Sequence, residues 1–230
     1  MAKLFLLRHF KSQWNQENRF TGWVDVPLLK GWEKKAKKTS KAVFRSKIDS
    51  IYSSPLIRNQ DSVLAIFEYY DKKYPIFIHL DQGGMKNWGQ FEKINNKYIP
   101  VYISERLNER YYGNLQGRNK KKMMKKYGKE LVRLWRRSFD KRPPGGENLR
   151  MTYKRAVPVF KKYIKNDLKQ GKNVLVVASH NSLRALIKHI ERIPDRDIIN
   201  VEVDYGGLIK YEFDKKINLK RKEVISIARK

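Results

Sequence analysis

Short apolar runs alternate with amphipathic segments along the whole chain. The apolar runs have the length and composition of buried β-strands, and they occupy residues 3–7, 48–53, 76–79, 174–178 and 208–212. Apolar positions recur at helical spacing between them, at residues 32–44, 58–70, 119–137, 149–164 and 182–193. Strands separated by helices predict an α/β fold, a three-layer αβα sandwich around a mostly parallel central sheet.

Residues at the ends of three predicted strands can carry chemistry. Arg8 and His9 follow the first strand, Arg58 follows the second, and His180 follows the strand at 174–178. Ligands of parallel sheets bind beyond the carboxyl ends of the strands, so these side chains can meet at one edge. Guanidinium groups bind phosphate bidentately, and a neutral imidazole among them is a nucleophile toward phosphorus. From spacing alone, the simpler reading of surface arginines and a structural histidine is favoured.

The chain carries an unusually large positive charge. Its 52 Lys and Arg residues outnumber its 23 Asp and Glu residues, which gives a formal net charge of +29. Because self-repulsion destabilises a compact enzyme, we expect a polyanionic partner: RNA, an anionic lipid surface or an acidic protein surface. A lysine-rich composition without functional selection is an equal alternative. The hydrophobic fraction of 40% excludes a wholly disordered basic protein.

Features that the sequence lacks limit the chemistry and the cellular location that we expect. The chain has no cysteine, which excludes disulfides, thiol catalysis and cysteine-ligated zinc, and we expect no metal and no structural cofactor. No apolar run reaches the roughly 20 residues of a membrane span. The first strand begins at residue 3, so we expect no cleavable presequence and a cytoplasmic location, with mitochondrial import through an internal signal as the alternative.

A series of motifs changes the interpretation of the arginines and histidines at the strand ends. The first are Leu-Arg-His at 7–9, Ser-Gln-Trp-Asn at 12–15 and Glu-Asn-Arg-Phe-Thr-Gly-Trp-Val-Asp at 17–25. The later ones are Leu-Asn-Glu-Arg-Tyr-Tyr-Gly-Asn-Leu-Gln-Gly at 107–117, Pro-Pro-Gly-Gly-Glu at 143–147 and Asn-Ser-Leu-Arg-Ala-Leu at 181–186. In this order the motifs closely resemble the cofactor-dependent phosphoglycerate mutases of the histidine phosphatase superfamily. The resemblance implies a phosphoglycerate mutase-like fold over nearly the whole chain.

The resemblance also implies a role for each matching residue. In that family, a histidine after the first strand is phosphorylated by 2,3-bisphosphoglycerate, and the phosphate passes between the 2- and 3-positions of glycerate. His9 matches this phospho-acceptor, and Glu109 matches the proton donor and acceptor. The residues that match the holders of the transferring phosphate are Arg8, Asn15 and Arg58. The implied substrate contacts are Thr21, Gly22, Arg110, Tyr112, Lys120, Arg136, Arg137 and Asn181.

The same resemblance sets the expected organisation of the chain. We expect one mutase-like domain over residues 1–213, with an insert near the mouth of the active site at residues 80–120. Residues 214–230 are predicted to form a basic C-terminal tail. Family members are often oligomeric, which leaves a homo-oligomer open.

Four departures from the family pattern lie close to the chemistry. Phe10 replaces a glycine that lets backbone approach the phosphate, so its ring must point away from the pocket or fill it. Ser179 stands where the family has its second catalytic histidine, and His180, displaced by one residue, stands where the family has glycine. Tyr111 replaces a histidine, which we expect to be tolerated, and Asp-Tyr-Gly at 204–206 replaces Pro-Thr-Gly near the substrate mouth.

These departures leave two main hypotheses and a weaker third. We favour a mutase-like protein with impaired or lost catalysis, which serves as a basic structural or docking component of a ribonucleoprotein or an anionic-lipid membrane complex. The alternative is an active enzyme that interconverts 3- and 2-phosphoglycerate through phospho-His9, with 2,3-bisphosphoglycerate as its cofactor. The third is a phosphatase of the same superfamily, against which the length of the segment at 80–120 argues.

Overall fold

A seven-stranded sheet forms the centre of the computed structural model, which describes residues 1–91 and 93–227. Its strands are β1 (Ala2–Arg8), β2 (Ser50–Ser53), β3 (Tyr74–His79), β4 (Tyr98–Ile103), β5 (Val174–Ala178), β6 (Leu208–Phe213) and β7 (Leu219–Ile225). Their spatial order is β3-β4-β2-β5-β1-β6-β7. The first five strands in this order run parallel, whereas β6 and β7 pair in the antiparallel sense. The mostly parallel sheet expected from the sequence is therefore confirmed.

Helices connect these strands. They are α1 (Gln13–Gln16), α2 (Glu33–Phe44), α3 (Ile57–Phe67), α4 (Gly84–Trp88), α5 (Lys120–Tyr127), α6 (Lys129–Arg137), α7 (Leu149–Val159), α8 (Lys165–Lys169) and α9 (His180–Glu191). The helix predicted over residues 119–137 is divided into α5 and α6, because Gly128 adopts a φ of +87° that side-chain-bearing residues rarely adopt. Among the described residues, no helix combines the length and the hydrophobicity required to cross a lipid bilayer.

The apolar core lies in two layers, one on each face of the sheet. Leu4 and Leu6 of β1 pack with residues of α7 and α9, whereas Phe5 and Leu7 pack with residues of α2 and α3. Consecutive strand residues point to opposite faces, so a strand that is buried on both faces has an unbroken apolar run. These packing contacts produce the three-layer αβα sandwich.

The segment predicted as an insert at residues 80–120 contains a strand of the main sheet. Strand β4 lies within it and pairs with β2 on one side and β3 on the other. Pro100 makes this strand hard to recognise in the sequence, because proline lacks the backbone N–H that a residue in a central strand normally donates. Residues 98–103 of the predicted insert are therefore part of the central sheet, whereas residues 80–91 carry only the short helix α4.

The segment predicted as a basic tail also joins the sheet. Strand β7 pairs along β6, from Leu208 opposite Ile225 to Phe213 opposite Leu219. Its lysines form ion pairs, with Lys222 bound to Glu191 at 2.7 Å and Lys220 bound to Asp214 at 3.2 Å. Part of the positive charge of this segment, at Lys220, Arg221 and Lys222, therefore lies on a folded edge strand. Residues 228–230, the end of the predicted tail, lie outside the described residues.

The strand order places the predicted chemistry at one edge of the sheet. Strand β5 lies between β2 and β1, so the carboxyl ends of these three strands are adjacent. Arg8 is the last residue of β1, Arg58 lies in the first turn of α3 after β2, and His180 is the first residue of α9 after β5. The side chains that the sequence singled out therefore start from neighbouring positions.

Candidate active site

A cavity of about 250 Å³ opens at the carboxyl edge of β2, β5 and β1. Nearly all the residues implied by the sequence line it, namely Arg8, His9, Asn15, Thr21, Gly22, Arg58, Glu109, Tyr112, Lys120, Arg136, Arg137, His180 and Asn181. Arg110 is the exception, since it is fully buried and reaches the cavity only through its contacts with Tyr112 and Arg136. The cavity is smaller than the roughly 300 Å³ of typical drug-sized pockets and therefore suits a small ligand.

His9 is buried at the floor of this cavity in a defined tautomer. Its Nδ1 atom lies 2.6 Å from the carbonyl oxygen of Phe10. A carbonyl oxygen only accepts hydrogen bonds, so Nδ1 carries the proton and Nε2 keeps its lone pair. Burial, followed by the charges of Arg58 and Arg8, holds the pKa of His9 well below its ordinary value of 6.5. His9 is therefore a neutral imidazole at neutral pH, with Nε2 available as a nucleophile.

Two arginines flank His9 and are held by backbone oxygen atoms. Arg58 donates hydrogen bonds to the carbonyls of Val24 at 2.9 Å and Gly22 at 2.7 Å, and burial lowers its pKa to about 10. Arg8 donates to the carbonyl of Val203 at 2.6 Å. Carbonyl partners fix these guanidinium groups without neutralising them. The positive charge is therefore preorganised for an anion.

Glu109 is anchored at the amino end of α9. Its carboxylate accepts hydrogen bonds from the backbone N–H of Arg110 at 2.6 Å and from the side-chain amide of Asn181 at 2.7 Å. Arg155 holds the same loop, because it donates to the carbonyl of Glu109 at 2.9 Å and forms two hydrogen bonds with the carboxylate of Glu147. This network places a carboxyl group at the cavity wall, where it can give or take a proton.

A second group of cations, Lys120, Arg136 and Arg137, also lines the cavity. Burial and the neighbouring charges of Arg136 and Arg8 lower the pKa of Lys120 to about 8. Arg184 is fully buried behind this group and donates to the Asn181 side chain at 2.9 Å and to the carbonyl of Arg137 at 2.6 Å. Burial lowers its pKa to about 9. The repulsion among these cations is relieved when an anion binds between them.

The displaced histidine reaches the cavity. His180 lines it, whereas the Oγ atom of Ser179 accepts a hydrogen bond from Asn59 at 3.3 Å and Ser179 is fully buried. Burial, followed by the charges of Arg8 and Arg184, holds the pKa of His180 well below its ordinary value of 6.5. A shift of one residue along the chain has therefore not removed the second imidazole from the cavity.

Phe10 points away from the cavity. Its side chain is 1% exposed, belongs to the core layer that contains α2 and α3, and stacks on Trp32 at 6.5 Å between ring centroids. Its backbone N–H donates to the Oγ atom of Ser62 at 3.0 Å. Of the two orientations that the sequence left open, the structure shows the one in which the phenyl ring leaves the cavity free.

Five residues of the cavity wall were not assigned a role from the sequence. They are Arg19, Phe20, Glu202, Asp204 and Tyr205. Tyr205 covers the guanidinium group of Arg8 at 3.7 Å from its ring centroid, and the N–H of Gly206 donates to the carbonyls of Arg8 and His9. The departure from the family pattern at residues 204–206 is the sequence signal that points to this region. Only the folded chain shows how closely it lies to His9.

The chain is similar to proteins of one family. The model of the histidine phosphatase superfamily (branch 1) matches residues 4–88 and 90–222. The chain is 46% identical over 224 residues to the 2,3-bisphosphoglycerate-dependent phosphoglycerate mutase of Methanococcus vannielii, covering 96% of this chain and 94% of that relative. The protein of the same name from Protochlamydia amoebophila is 42% identical, over 93% of this chain and 96% of its own length.

Solved structures share the fold. Bacillus stearothermophilus YhfR superposes with a TM-score of 0.74 at 20% identity, over 96% of this chain and 95% of the other. The alpha-ribazole phosphatase from Shigella flexneri gives a TM-score of 0.73 at 19% identity, over 99% and 98% of the two chains. At this level of identity the likeness shows the fold alone.

Truncation of Phe10 tests whether its ring belongs to the core. We expect Phe10→Ala to lower the free energy of unfolding by about 3–5 kcal/mol, because it leaves a cavity among buried side chains. Phe91→Ala, at a phenylalanine that is 45% exposed, is the matched control and should change it by only about 0.5 kcal/mol. Urea unfolding measures both. Equal losses in the two variants would contradict the buried position of Phe10.

Acidification should destabilise the fold through the buried histidines. The pKa of His9 is lower in the folded chain than its ordinary value of 6.5, so below that pH the unfolded chain binds a proton that the folded chain excludes. We expect the free energy of unfolding to fall below about pH 6.5, by up to about 1.4 kcal/mol per pH unit for each such histidine. In urea unfolding across this range, His9→Gln should have a shallower slope than the wild type. Identical slopes would show that His9 does not contribute.

Proposed function

The chain belongs to the histidine phosphatase superfamily, and within it we propose that this chain is a 2,3-bisphosphoglycerate-dependent phosphoglycerate mutase that interconverts 3- and 2-phosphoglycerate. The observation that carries the proposal is the state of His9, a neutral imidazole whose Nδ1 is fixed by the Phe10 carbonyl beside Arg8 and Arg58. This is the arrangement that a phospho-acceptor requires. The mutase relatives support the same reaction.

Two sequence departures had favoured impaired catalysis, and their structural positions weigh against that reading. The ring of Phe10 lies in the core and leaves the cavity open. His180 supplies an imidazole to the cavity wall from the position after Ser179. The relatives carry the name of the mutase itself and lend no support to a structural role in a ribonucleoprotein or a membrane complex. The alternative hypothesis of an active mutase is therefore the better one.

The donor set of the cavity fits a compact polyanion. The cationic side chains of the wall are Arg8, Arg19, Arg58, Lys120, Arg136 and Arg137, and its carboxylates are Glu109, Glu202 and Asp204. This excess of cations would hold the phosphate and carboxylate groups of 2,3-bisphosphoglycerate. When bound, that cofactor supplies the phosphoryl group that first charges His9.

In the proposed reaction, phospho-His9 transfers its phosphoryl group to the free hydroxyl of the bound monophosphoglycerate. The N–P bond breaks as the new P–O bond forms, and the hydroxyl proton passes to the carboxylate of Glu109. His9 Nε2 then takes the phosphoryl group from the other position of glycerate, and Glu109 returns the proton to the departing oxygen. Arg8, Arg58 and His180 stabilise the charge on the phosphoryl oxygens throughout, so positioning and electrostatics supply most of the catalysis.

The polyanionic partner expected from the net charge stays a prediction. Part of the charge lies on exposed lysines of α5 and of the start of α6, namely Lys121, Lys122, Lys125, Lys126 and Lys129. These side chains lie outside the active-site cavity, so an external partner would be compatible with catalysis.

A coupled assay for conversion of 3- to 2-phosphoglycerate tests the proposed activity. We expect turnover within an order of magnitude of the typical enzyme median of about 10 s⁻¹, and phosphate on His9 after incubation with 2,3-bisphosphoglycerate. His9→Asn should lose about 10³-fold or more of kcat because the nucleophile is gone. His189→Asn is the matched control, since His189 hydrogen-bonds Tyr153 away from the cavity. Phosphate-ester hydrolysis without isomerisation would favour a phosphatase instead.

The shifted second histidine has its own test. His180→Ala should lower kcat by about 10²–10³-fold, the effect of losing one donor to a transferring group. Ser179→Ala should leave kcat nearly unchanged, because the Ser179 hydroxyl faces Asn59. Comparison of kcat for the two purified variants shows which of the two neighbouring residues is the donor. A larger loss in Ser179→Ala would mean that the serine has taken over the role of donor.

A further inference from the structure

Glu202 brings a carboxylate into the cationic part of the active site. It precedes β6 and lines the cavity with about half of its side chain exposed. Its carboxylate forms an ion pair with the guanidinium group of Arg137. Its other oxygen lies 3.0 Å from Nε2 of His180. One carboxylate therefore contacts two groups that the proposed function gives to the substrate.

Hydrogen bonds hold the backbone on both sides of Glu202. Before it, the N–H of Val201 donates to the carbonyl of Ile198 at 3.1 Å. The carbonyl of Val203 accepts a hydrogen bond from Arg8 at 2.6 Å, and the carbonyl of Tyr205 accepts one from Lys35. The N–H of Gly206 donates to the carbonyl of Arg8 at 3.0 Å. The Glu202 side chain can therefore leave the cavity by rotation, without an opening of the segment that carries it.

The charges around Arg137 explain why a carboxylate is held there. Burial, and then the charge of Arg136, lowers the pKa of Arg137, with smaller contributions from Arg8 and Arg110. An anion at this position relieves the repulsion among these guanidinium groups. Without a ligand, Glu202 supplies that anion. A bound phosphate or carboxylate group would meet the same cations and be repelled by a carboxylate left in place.

We propose that Glu202 is a built-in competitor for the anionic groups of the ligand. It swings out when the acidic substrate binds and returns to Arg137 and His180 as product leaves. The ion pair weakens ground-state binding of the acidic ligand, and its return assists product release. This inference rests on the proposed function for its substrate, but the competition itself concerns any oxyanion that binds in the cavity.

Removal of the Glu202 charge tests whether its carboxylate competes with the anionic groups of the ligand. We expect Glu202→Gln to bind 3-phosphoglycerate about threefold to fivefold more tightly than the wild type, as for the loss of one partly exposed ion pair. Inorganic phosphate should also bind more tightly. Isothermal titration calorimetry of the full chain measures both without turnover. In the assay, KM should fall, kcat should not rise, and product inhibition should strengthen.

Asp204→Asn is the matched control. Asp204 lies two residues away at the wall of the same cavity, and within the described part of the chain its carboxylate makes no hydrogen bond or ion pair. The same change of charge there should tighten binding much less. Unchanged or weaker binding in Glu202→Gln, or equal tightening in both variants, would overturn the proposal. Tighter phosphate binding in a chain that does not isomerise phosphoglycerate would retain this inference and reject the proposed mutase activity.

Discussion

Positive charge that is buried without a matching negative charge dominates this molecule. Arg58, Arg110 and Arg184 are among its largest fully buried side chains, and each is held chiefly by hydrogen-bond acceptors that carry no charge. Burial of unpaired charge is costly, and the carbonyl partners of these groups offset part of that cost. Carbonyls leave the charge available. Burial, followed by the charges of neighbouring arginines, keeps His9 neutral and lowers the pKa of Lys120.

Most of the site could be predicted because its chemistry lies in short motifs at strand ends. His9, Arg58 and His180 follow three strands that the topology places side by side. The direction of Phe10 could not be predicted, because the alternation of a strand ends before that residue and says nothing of where its ring points. Glu202 was missed for a different reason. Its contacts with Arg137 and His180 depend on a tertiary approach that no local pattern encodes.

The strands of the fold likewise divide into those that the sequence predicts and those that it does not. The central strands β1 and β5 are recognisable because burial on both faces gives unbroken apolar runs. Strand β7 has the sequence Leu-Lys-Arg-Lys-Glu-Val-Ile, which carries no apolar alternation, and it is a strand because it pairs with β6. Charged residues on an edge strand also discourage pairing with a second copy. Propensity and periodicity therefore identify what is buried, whereas edge strands are specified by their neighbours.

The position of Phe10 links the packing of the apolar core to the state of His9. The residue after the proposed nucleophile is part of the apolar layer beneath α2 and α3, and its carbonyl sets the tautomer of His9. A change in that layer, even one far from any ligand, can shift the imidazole. Thermal adaptation of this protein and the evolution of its proposed activity therefore depend on the same few side chains. Lineages that reshape this core under selection for heat or cold should change catalytic rate with it.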